Sequence, residues 1–384
     1  MRRVRGVFDL SLDDHRPTRR RIIAGIAAGL LALHRPAVAR GGREALRAIA
    51  ASRGILYGST IAADQVRAVD DFLALVRREC GVLVAENELK WGNICDAPGE
   101  YDFAPADAIV DFATANDIAM RGHTLLWYYK TPRWFRDLPD AATAERAMLD
   151  HIAHVAGRYR GRMRIWDVVN EPIEPAHGRA DGLRGAIFAE KVGPHYLDLA
   201  FHAARAADPT PRLLLNEYGV EYDSEADDTK RRVILYHLER MKRAGVPVEI
   251  LGIQAHLEIG VKPFSARKLA DFIAAVGSLG IEVAITELDV VDAAAPGNIA
   301  KRDSMVADEY RRFLDVALAD SSVRTVFTWG LSDRHSWIVR RESGANTWRS
   351  DGMAPRPLPF DTALAPKPAW TSLSECLAGV VRHG

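Results

Sequence analysis

Residues 166–172, WDVVNEP, and residues 283–289, VAITELD, decide the fold of this chain. Each stretch is a short apolar run that leads to a carboxylate, Glu171 in the first and Glu287 in the second. Short apolar runs bounded by polar residues are typical of fully buried strands in parallel sheets. We therefore expect each stretch to be a buried strand that carries its glutamate at the carboxyl end. The long interval between the two stretches fits two strands of one large α/β barrel.

Comparable apolar runs occur along the whole chain, and helical spacing of apolar residues fills the intervals, as in residues 65–79 and 144–159. A strand followed by a helix, repeated eight times, predicts an α/β protein built as a single-domain (β/α)8 TIM barrel. The predicted strands are residues 55–58, 82–91, 120–127, 163–170, 213–216, 250–256, 282–287 and 325–329.

Composition fits one large enzyme domain. The chain has 384 residues, is 48% hydrophobic and carries no linker or low-complexity segment that would divide it. Its 51 basic and 51 acidic residues balance, so nothing favours a nucleic-acid partner. We expect a monomer.

Residues 1–39 have the features of an export signal. Arg19 and Arg20 precede an apolar, Gly- and Ala-rich segment at 22–33, and residues 37–39, AVA, form a cleavage site. The paired arginines predict the twin-arginine type, with export to the periplasm or the exterior and a mature barrel domain at 40–384. An uncleaved anchor is the alternative, but a membrane-spanning helix needs about 18 apolar residues or more, so we expect no stable membrane insertion.

The three cysteines do not form the pattern of a disulfide scaffold. Cys80 and Cys95 lie at opposite ends of a predicted strand and cannot pair locally. Two alternatives remain: a disulfide between Cys80 and Cys376, or three buried free thiols. No spacing of Cys and His is typical of a metal site, and the sequence predicts no cofactor.

Polar and aromatic side chains gather at the predicted carboxyl ends of the strands, where the active sites of such barrels lie. Two glutamates that converge there indicate glycoside hydrolysis, although each could also cap a strand or pair with an arginine. Seven of the eight predicted strands contribute to this edge: Glu86, Asn87, Lys90, His123, Trp127, Asn170, Glu171, Asn216, Glu217, Gln254, His256, Glu287 and Trp329.

Several of these motifs together resemble glycoside hydrolase family 10, the retaining endo-β-1,4-xylanases. The similarity extends in consistent order from about Gly54 to Trp370. The motifs are residues 86–91 (ENELKW), 122–127 (GHTLLW), 166–172 (WDVVNEP), 252–257 (GIQAHL), 285–289 (ITELD) and 328–333 (TWGLSD).

The resemblance implies that Glu287 is the nucleophile and that Glu171 is the proton donor and later the general base. It implies that His256 keeps Glu287 ionised. It also implies that Asn170 and Gln254 bind the 2-hydroxyl of the sugar at the cleavage point. The other implied substrate-binding residues are Glu86, Asn87 and Lys90 for the next glycone sugar, Trp329 and Trp337 beneath the glycone, Tyr218 on the leaving-group side, and His123 and Trp127.

Three positions depart from the family pattern: Tyr128 in place of His, Lys130 in place of Gln, and Glu217 in place of Asp. These departures leave open whether the substrate is xylan, another β-glycan, a short xylo-oligosaccharide or an aryl glycoside. A metal-dependent barrel hydrolase would need a His-x-His pair on the first strand, which is absent from residues 55–58. A catalytically silent carbohydrate-binding protein would have lost Glu171 or Glu287, and both are present.

Overall fold

The computed structural model describes residues 43–68, 70–339 and 349–381. The predicted signal segment, residues 1–39, lies outside these ranges, so export stays a prediction. Within them, no helix has both the length and the apolar composition to cross a bilayer.

The strands of the described chain form one parallel barrel, which confirms the predicted fold. Around the barrel the order is β1, β2, β3, β5, β6, β7, β9 and β10, and β10 pairs with both β9 and β1 to close it. Two short strands extend it, β4 against β5 and β8 against β9. The bounds are β1 (Leu56–Ile61), β2 (Val82–Ala85), β3 (Ala119–Gly122), β4 (Leu126–Trp127), β5 (Ile165–Asn170), β6 (Arg212–Glu217), β7 (Ile250–Ile253), β8 (His256–Glu258), β9 (Glu282–Val291) and β10 (Val323–Thr328).

All eight predicted strands are present with shifted bounds, and three of them are shortened or divided by a local feature. The predicted strand 82–91 ends at Ala85, because the Glu88 carboxylate accepts hydrogen bonds from the amides of Ala63 (2.6 Å) and Asn87 (3.0 Å) and turns the chain. The predicted strand 250–256 breaks at Ala255, whose φ of 59° is left-handed and cannot continue a strand. The predicted strand 120–127 is divided into β3 and β4 at the cis peptide between His123 and Thr124.

Helices connect the strands on the outside of the barrel. The predicted helix 65–79 is two helices, because Asp70 caps a new one by accepting the amide of Phe72 at 2.9 Å; the predicted apolar position Val69 lies outside the described residues. The helices are α1 (Leu46–Ser52), α2 (Ala63–Ala68), α3 (Asp71–Glu79), α4 (Trp91–Ile94), α5 (Ala104–Ala115), α6 (Arg133–Arg136), α7 (Ala141–Arg158), α8 (Ile187–Lys191), α9 (Tyr196–Ala207), α10 (Glu225–Arg243), α11 (Ala266–Ser278), α12 (Ile299–Ala317) and α13 (Pro368–Ala378), with short 3₁₀ turns at Tyr128–Lys130, Pro175–His177 and Asp333–His335.

The barrel interior is filled by side chains, and at some strand positions there is no room for a residue larger than glycine. Ile165, Leu214 and Ile250 form a buried cluster from three neighbouring strands. A Cβ at Gly122 would lie 2.1 Å from a ring carbon of Trp166, so only glycine fits beside this indole. This packed interior holds the carboxyl ends of the strands in fixed register, and those ends carry the polar residues described next.

The cysteines are all buried and free. Three free thiols is therefore the alternative that the structure supports, and the Cys80–Cys376 bridge is not formed.

Candidate active site

A cleft of about 660 Å³ opens at the carboxyl ends of the barrel strands. All of the predicted catalytic and substrate-binding residues line it: Glu86, Asn87, Lys90, His123, Trp127, Asn170, Glu171, Tyr218, Gln254, His256, Glu287, Trp329 and Trp337. Tyr128 and Lys130, the predicted departures that affect specificity, also line it. The sequence assigned no role to the remaining lining residues: Tyr129, Gly219, Glu221, Tyr222, Glu258 and Lys262.

Glu287 lies within β9 and is only 5% exposed. Both of its carboxylate oxygens receive hydrogen bonds, Oε1 from Asn216 Nδ2 at 2.7 Å and Oε2 from His256 Nε2 at 3.1 Å. Burial alone would raise its pKa. The hydrogen bond from His256 and the electrostatic interactions with His123, His256 and Arg121 outweigh burial and lower the pKa of Glu287 to about 2. Glu287 is therefore a carboxylate over the whole physiological pH range.

His256 lies between two carboxylates. Its Nδ1 is 2.8 Å from Asp289 Oδ1, while its Nε2 bonds Glu287. Burial disfavours the charged ring, but Asp289 and Glu287 together raise the pKa of His256 well above its usual value. Trp337 Nε1 donates to the other oxygen of Asp289 at 2.7 Å. An imidazolium held on both nitrogens donates to Glu287 and stabilises its ionised form.

Glu171 follows directly after β5 and has a left-handed backbone with φ of 56°. Its Oε1 accepts hydrogen bonds from Gln254 Nε2 at 3.1 Å and Asn170 Nδ2 at 3.2 Å. Its amide donates to the Asn216 carbonyl at 2.8 Å. The described residues provide no hydrogen bond to Oε2. The side chain is 9% exposed and borders the cleft.

Asn216 connects the two glutamates through one amide. Thr286 Oγ1 donates to Asn216 Oδ1 at 2.7 Å, which fixes the orientation of the amide group. Asn216 Nδ2 then donates to both Asn170 Oδ1 and Glu287 Oε1, each at 2.7 Å. The sequence placed Asn216 at this edge of the barrel but gave it no role.

A fully buried ion pair lies beneath the cleft and was missed by the sequence analysis. Arg121 makes a two-pronged contact with Asp167, at 2.9 Å and 2.6 Å, and a third hydrogen bond to the Thr286 carbonyl at 2.9 Å. His123 Nδ1 lies 2.7 Å from Asp167 Oδ2. Asp167 fixes the His123 ring, and the charge of Arg121 contributes to the low pKa of Glu287. The available signal was two opposite charges, Arg121 and Asp167, each inside an apolar strand.

Aromatic rings and Lys90 form the rest of the cleft wall. Lys90 Nζ donates to Asn87 Oδ1 at 3.0 Å and lies 5.0 Å from the centre of the Trp127 ring. Trp329 meets the His123 ring edge-on at 5.2 Å, and Trp337 packs against His256 at 5.2 Å. Broad indole faces beside hydroxyl-binding polar groups suit a carbohydrate ring.

The three departures from the family pattern lie in different places. Glu217 is fully buried, forms an ion pair with Lys230 at 2.9 Å and accepts the amide of Ile173 at 2.5 Å, so it faces the protein. Burial outweighs Lys230 and raises the pKa of Glu217 to about 7. Tyr128 and Lys130 face the cleft instead. Lys130 Nζ lies 5.6 Å from the Tyr129 ring, and no carboxylate of the described residues forms an ion pair with it.

In the part of the chain that the structure describes, no group of three or more His, Cys, Asp or Glu side chains is placed so that it could hold a metal ion. The chemical groups of the cleft are carboxylates, amides, imidazoles and indoles.

A (β/α)8 barrel whose cleft holds two buried glutamates, one fixed as a carboxylate and the other turned to the cleft, defines a glycoside hydrolase. The model of glycosyl hydrolase family 10 matches residues 45–376, and the chain belongs to this family.

Individual relatives agree with this membership. The chain is 34% identical over 304 residues to endo-1,4-beta-xylanase 1 of Humicola insolens, covering 78% of this chain and 66% of that protein. It is 30% identical over 322 residues to endo-1,4-beta-xylanase 3 of Hypocrea jecorina, covering 84% and 82%. Among solved structures, native xylanase 10B from Thermotoga maritima matches with a TM-score of 0.76 and 27% identity, covering 87% of this chain and 98% of that one.

Proposed function

We propose that this protein is an endo-1,4-β-xylanase, which hydrolyses internal β-1,4-xylosidic bonds of xylan with retention of anomeric configuration. The observation that carries the proposal is the pair of unequal glutamates, Glu287 with a donor on each oxygen and Glu171 with donors on Oε1 alone. Relatives named as endo-1,4-beta-xylanases support the choice of substrate.

In the first step, Glu287 attacks the anomeric carbon while Glu171 gives its proton to the departing glycosidic oxygen. The carbon–oxygen bond to the leaving sugar breaks, and an ester between the glycone and Glu287 forms. His256 is bonded to Oε2 of Glu287, so it stabilises the ionised nucleophile and fixes the orientation of its carboxylate.

In the second step, Glu171 takes a proton from water and the water oxygen attacks the same anomeric carbon. The ester breaks, Glu287 leaves as a carboxylate and Glu171 is protonated again. Two displacements on one carbon restore the original configuration. A pair of carboxyl groups about 5 to 5.5 Å apart is the geometry that such retention requires.

The remaining side chains bind the sugar rings. We assign Asn170 and Gln254, which both bond Glu171 Oε1, to the 2-hydroxyl of the sugar at the cleavage point. Trp329 and Trp337 provide a stacking surface for the glycone, with Glu86, Asn87, Lys90, His123 and Trp127 around it. Tyr218 lies on the leaving-group side, and Lys230 Nζ, 3.8 Å from its ring centre, covers one ring face.

Product analysis on a substrate panel tests this proposal. The purified protein is given xylan, mixed-linkage glucan, dinitrophenyl xylobioside and dinitrophenyl cellobioside, and proton NMR follows the first anomer formed. We expect β-anomers first, a steep fall in xylan viscosity per new reducing end, and a preference for the xylosides. An α-anomer as first product would disprove retention, and preference for the glucosides would replace xylan by another β-glycan.

We also propose that residues 1–39 direct export by the twin-arginine route, with cleavage after Ala39. The support is the sequence pattern of Arg19, Arg20 and the AVA site. Changing Arg19 and Arg20 to lysine should retain uncleaved precursor in the cytoplasm, and the matched change of Arg2 and Arg3 should not. Mature protein that still appears outside after the first change would exclude this route.

A further inference from the structure

The backbone of Glu171 adopts a conformation that a residue with a side chain rarely takes. Its φ of 56° is in the left-handed region, where the Cβ is crowded against the carbonyl oxygen. Such a conformation persists only when surrounding contacts hold it. The carboxyl direction of Glu171 depends on this backbone, so whichever group holds it also controls the direction of proton delivery.

Arg184 makes the side-chain contact that holds this peptide. Its Nε donates to the Glu171 carbonyl oxygen at 2.8 Å, and its own amide donates to the Pro172 carbonyl at 2.7 Å. The side chain is only 6% exposed, so the guanidinium is shielded from water. Arg184 thus fixes the two successive carbonyl groups that follow the acid side chain.

The same guanidinium extends to the leaving-group side of the cleft. An NH₂ group of Arg184 donates to the hydroxyl of Tyr218 at 2.9 Å and lies 3.3 Å from a carboxylate oxygen of Glu174. The guanidinium carbon lies 4.4 Å from the centre of the Tyr128 ring. One planar group therefore connects the Glu171 peptide to Tyr128 and Tyr218, two of the four tyrosines that line the cleft.

We propose that Arg184 is a positioning residue for Glu171: it holds the Glu171 peptide in its left-handed conformation and aligns the acid with the sugar that leaves. The inference rests on the proposed function. Arg184 does not touch the reacting atoms. Its contribution belongs to the step in which the leaving oxygen is protonated, and it is small for a leaving group that departs without a proton.

The test uses the full enzyme with Arg184→Met, which keeps an unbranched apolar stem and removes the guanidinium with its donors. The control is Arg179→Met on the same segment, because Arg179 pairs with Asp181 at 2.7 Å and does not contact Glu171. For each variant, kcat/KM is measured on xylotetraose, whose leaving group is a sugar, and on dinitrophenyl xylobioside, whose leaving group needs no protonation. Thermal unfolding is measured in parallel.

General acid catalysis contributes about 10²- to 10⁴-fold, so we expect Arg184→Met to lower kcat/KM on xylotetraose at least about tenfold more than on the dinitrophenyl substrate. Arg179→Met should leave the ratio of the two substrates unchanged. A purely structural role for Arg184 would lower both values in proportion, and that result would overturn the proposal.

A crystal structure of Arg184→Met gives a second measurement that does not depend on turnover. We expect Glu171 to leave the left-handed region or to lose its contact with Gln254. If Glu171 keeps its left-handed backbone and its contact with Gln254, the proposed positioning role of Arg184 is wrong. Wild-type protein without activity on either xyloside would instead disprove the proposed function, and the crystal structure would still decide the role of Arg184.

Discussion

Replacement of His256 by glutamine removes an imidazolium from between two carboxylates. In the native site, His256 Nε2 lies 3.1 Å from Glu287 Oε2 and Nδ1 lies 2.8 Å from Asp289 Oδ1. Glutamine is neutral, so Glu287 loses a charged donor while remaining 5% exposed. With this contribution gone, burial raises the pKa of Glu287 above its native value of about 2.

The size of the shift follows from the strength of the lost interaction. A hydrogen bond to a charged group contributes about 1.5 to 3 kcal/mol. At about 1.4 kcal/mol per pKa unit, the pKa of Glu287 should rise by roughly 1 to 2 units. Glu287 must be ionised to attack, so activity is lost as the pH falls through its pKa. The acidic limb of the variant should therefore lie at higher pH than that of the wild type.

Dinitrophenyl xylobioside isolates this effect, because its leaving group needs no proton from Glu171, and kcat/KM reports ionisations of the free enzyme. We expect the acidic limb to move up by about 1 to 2 pH units in His256→Gln. His202→Gln on α9 is the matched control, since His202 is exposed and does not line the cleft. The pH profile of this control should equal that of the wild type. An acidic limb that stays in place in His256→Gln would refute the assignment of His256 as the group that keeps Glu287 ionised.

Three further predictions address other parts of the molecule. Glu287→Ala should abolish turnover of every substrate, whereas Glu171→Ala should still be glycosylated by dinitrophenyl xylobioside and yield a β-azide when azide is added; absence of that product would mean that the roles are misassigned. Lys130→Gln should lower the preference for glucuronoxylan over arabinoxylan about fivefold, corresponding to about 1 kcal/mol for a carboxylate contact, and an unchanged ratio in salt-matched assays would remove Lys130 from specificity. Gly252→Ala should lower kcat about tenfold or more, because the new Cβ would lie 2.2 Å from Asn216 Oδ1. Gly157→Ala on α7 is its control, since the new Cβ would meet no atom within 4 Å. This second substitution should raise the free energy of unfolding by about 0.5 to 1 kcal/mol in denaturant titrations.

The fold followed from the sequence because barrel strands are buried on both faces, and the apolar runs were therefore continuous. The predicted strands that the structure shortens or divides have local causes, which the spacing of apolar residues does not predict. Leu89 and Trp91 are buried although they follow the end of β2, so their hydrophobicity extended the predicted strand through a turn. Ala255 is buried as a strand residue would be, and its left-handed φ is held by an amide hydrogen bond to Glu221 Oε1 at 3.1 Å.

The candidate site was predictable wherever a polar side chain interrupts the end of an apolar run. Groups that act through the backbone were not. Arg184 lies in the irregular segment between β5 and α8, and no spacing relates it to Glu171. Glu217 was visible as a longer acid at the end of β6, but its direction away from the cleft depends on Lys230 in α10, which only the folded chain brings beside it.

The two glutamates have the same side chain, so the roles of nucleophile and acid that we propose for them must come from the donors around them. Glu287 receives a neutral amide on one oxygen and an imidazolium on the other, and this arrangement stabilises only the charged form. Glu171 receives amide donors on Oε1, and no hydrogen bond from the described residues reaches Oε2. A carboxylic acid has one O–H to donate, and the oxygen without a protein donor is the one that can carry it towards the leaving group. Because Asn216 bonds Glu287 directly and reaches Glu171 through Asn170, one amide orientation maintains both arrangements at once. The division of roles is therefore a property of Asn216 and His256 as much as of the carboxylates themselves.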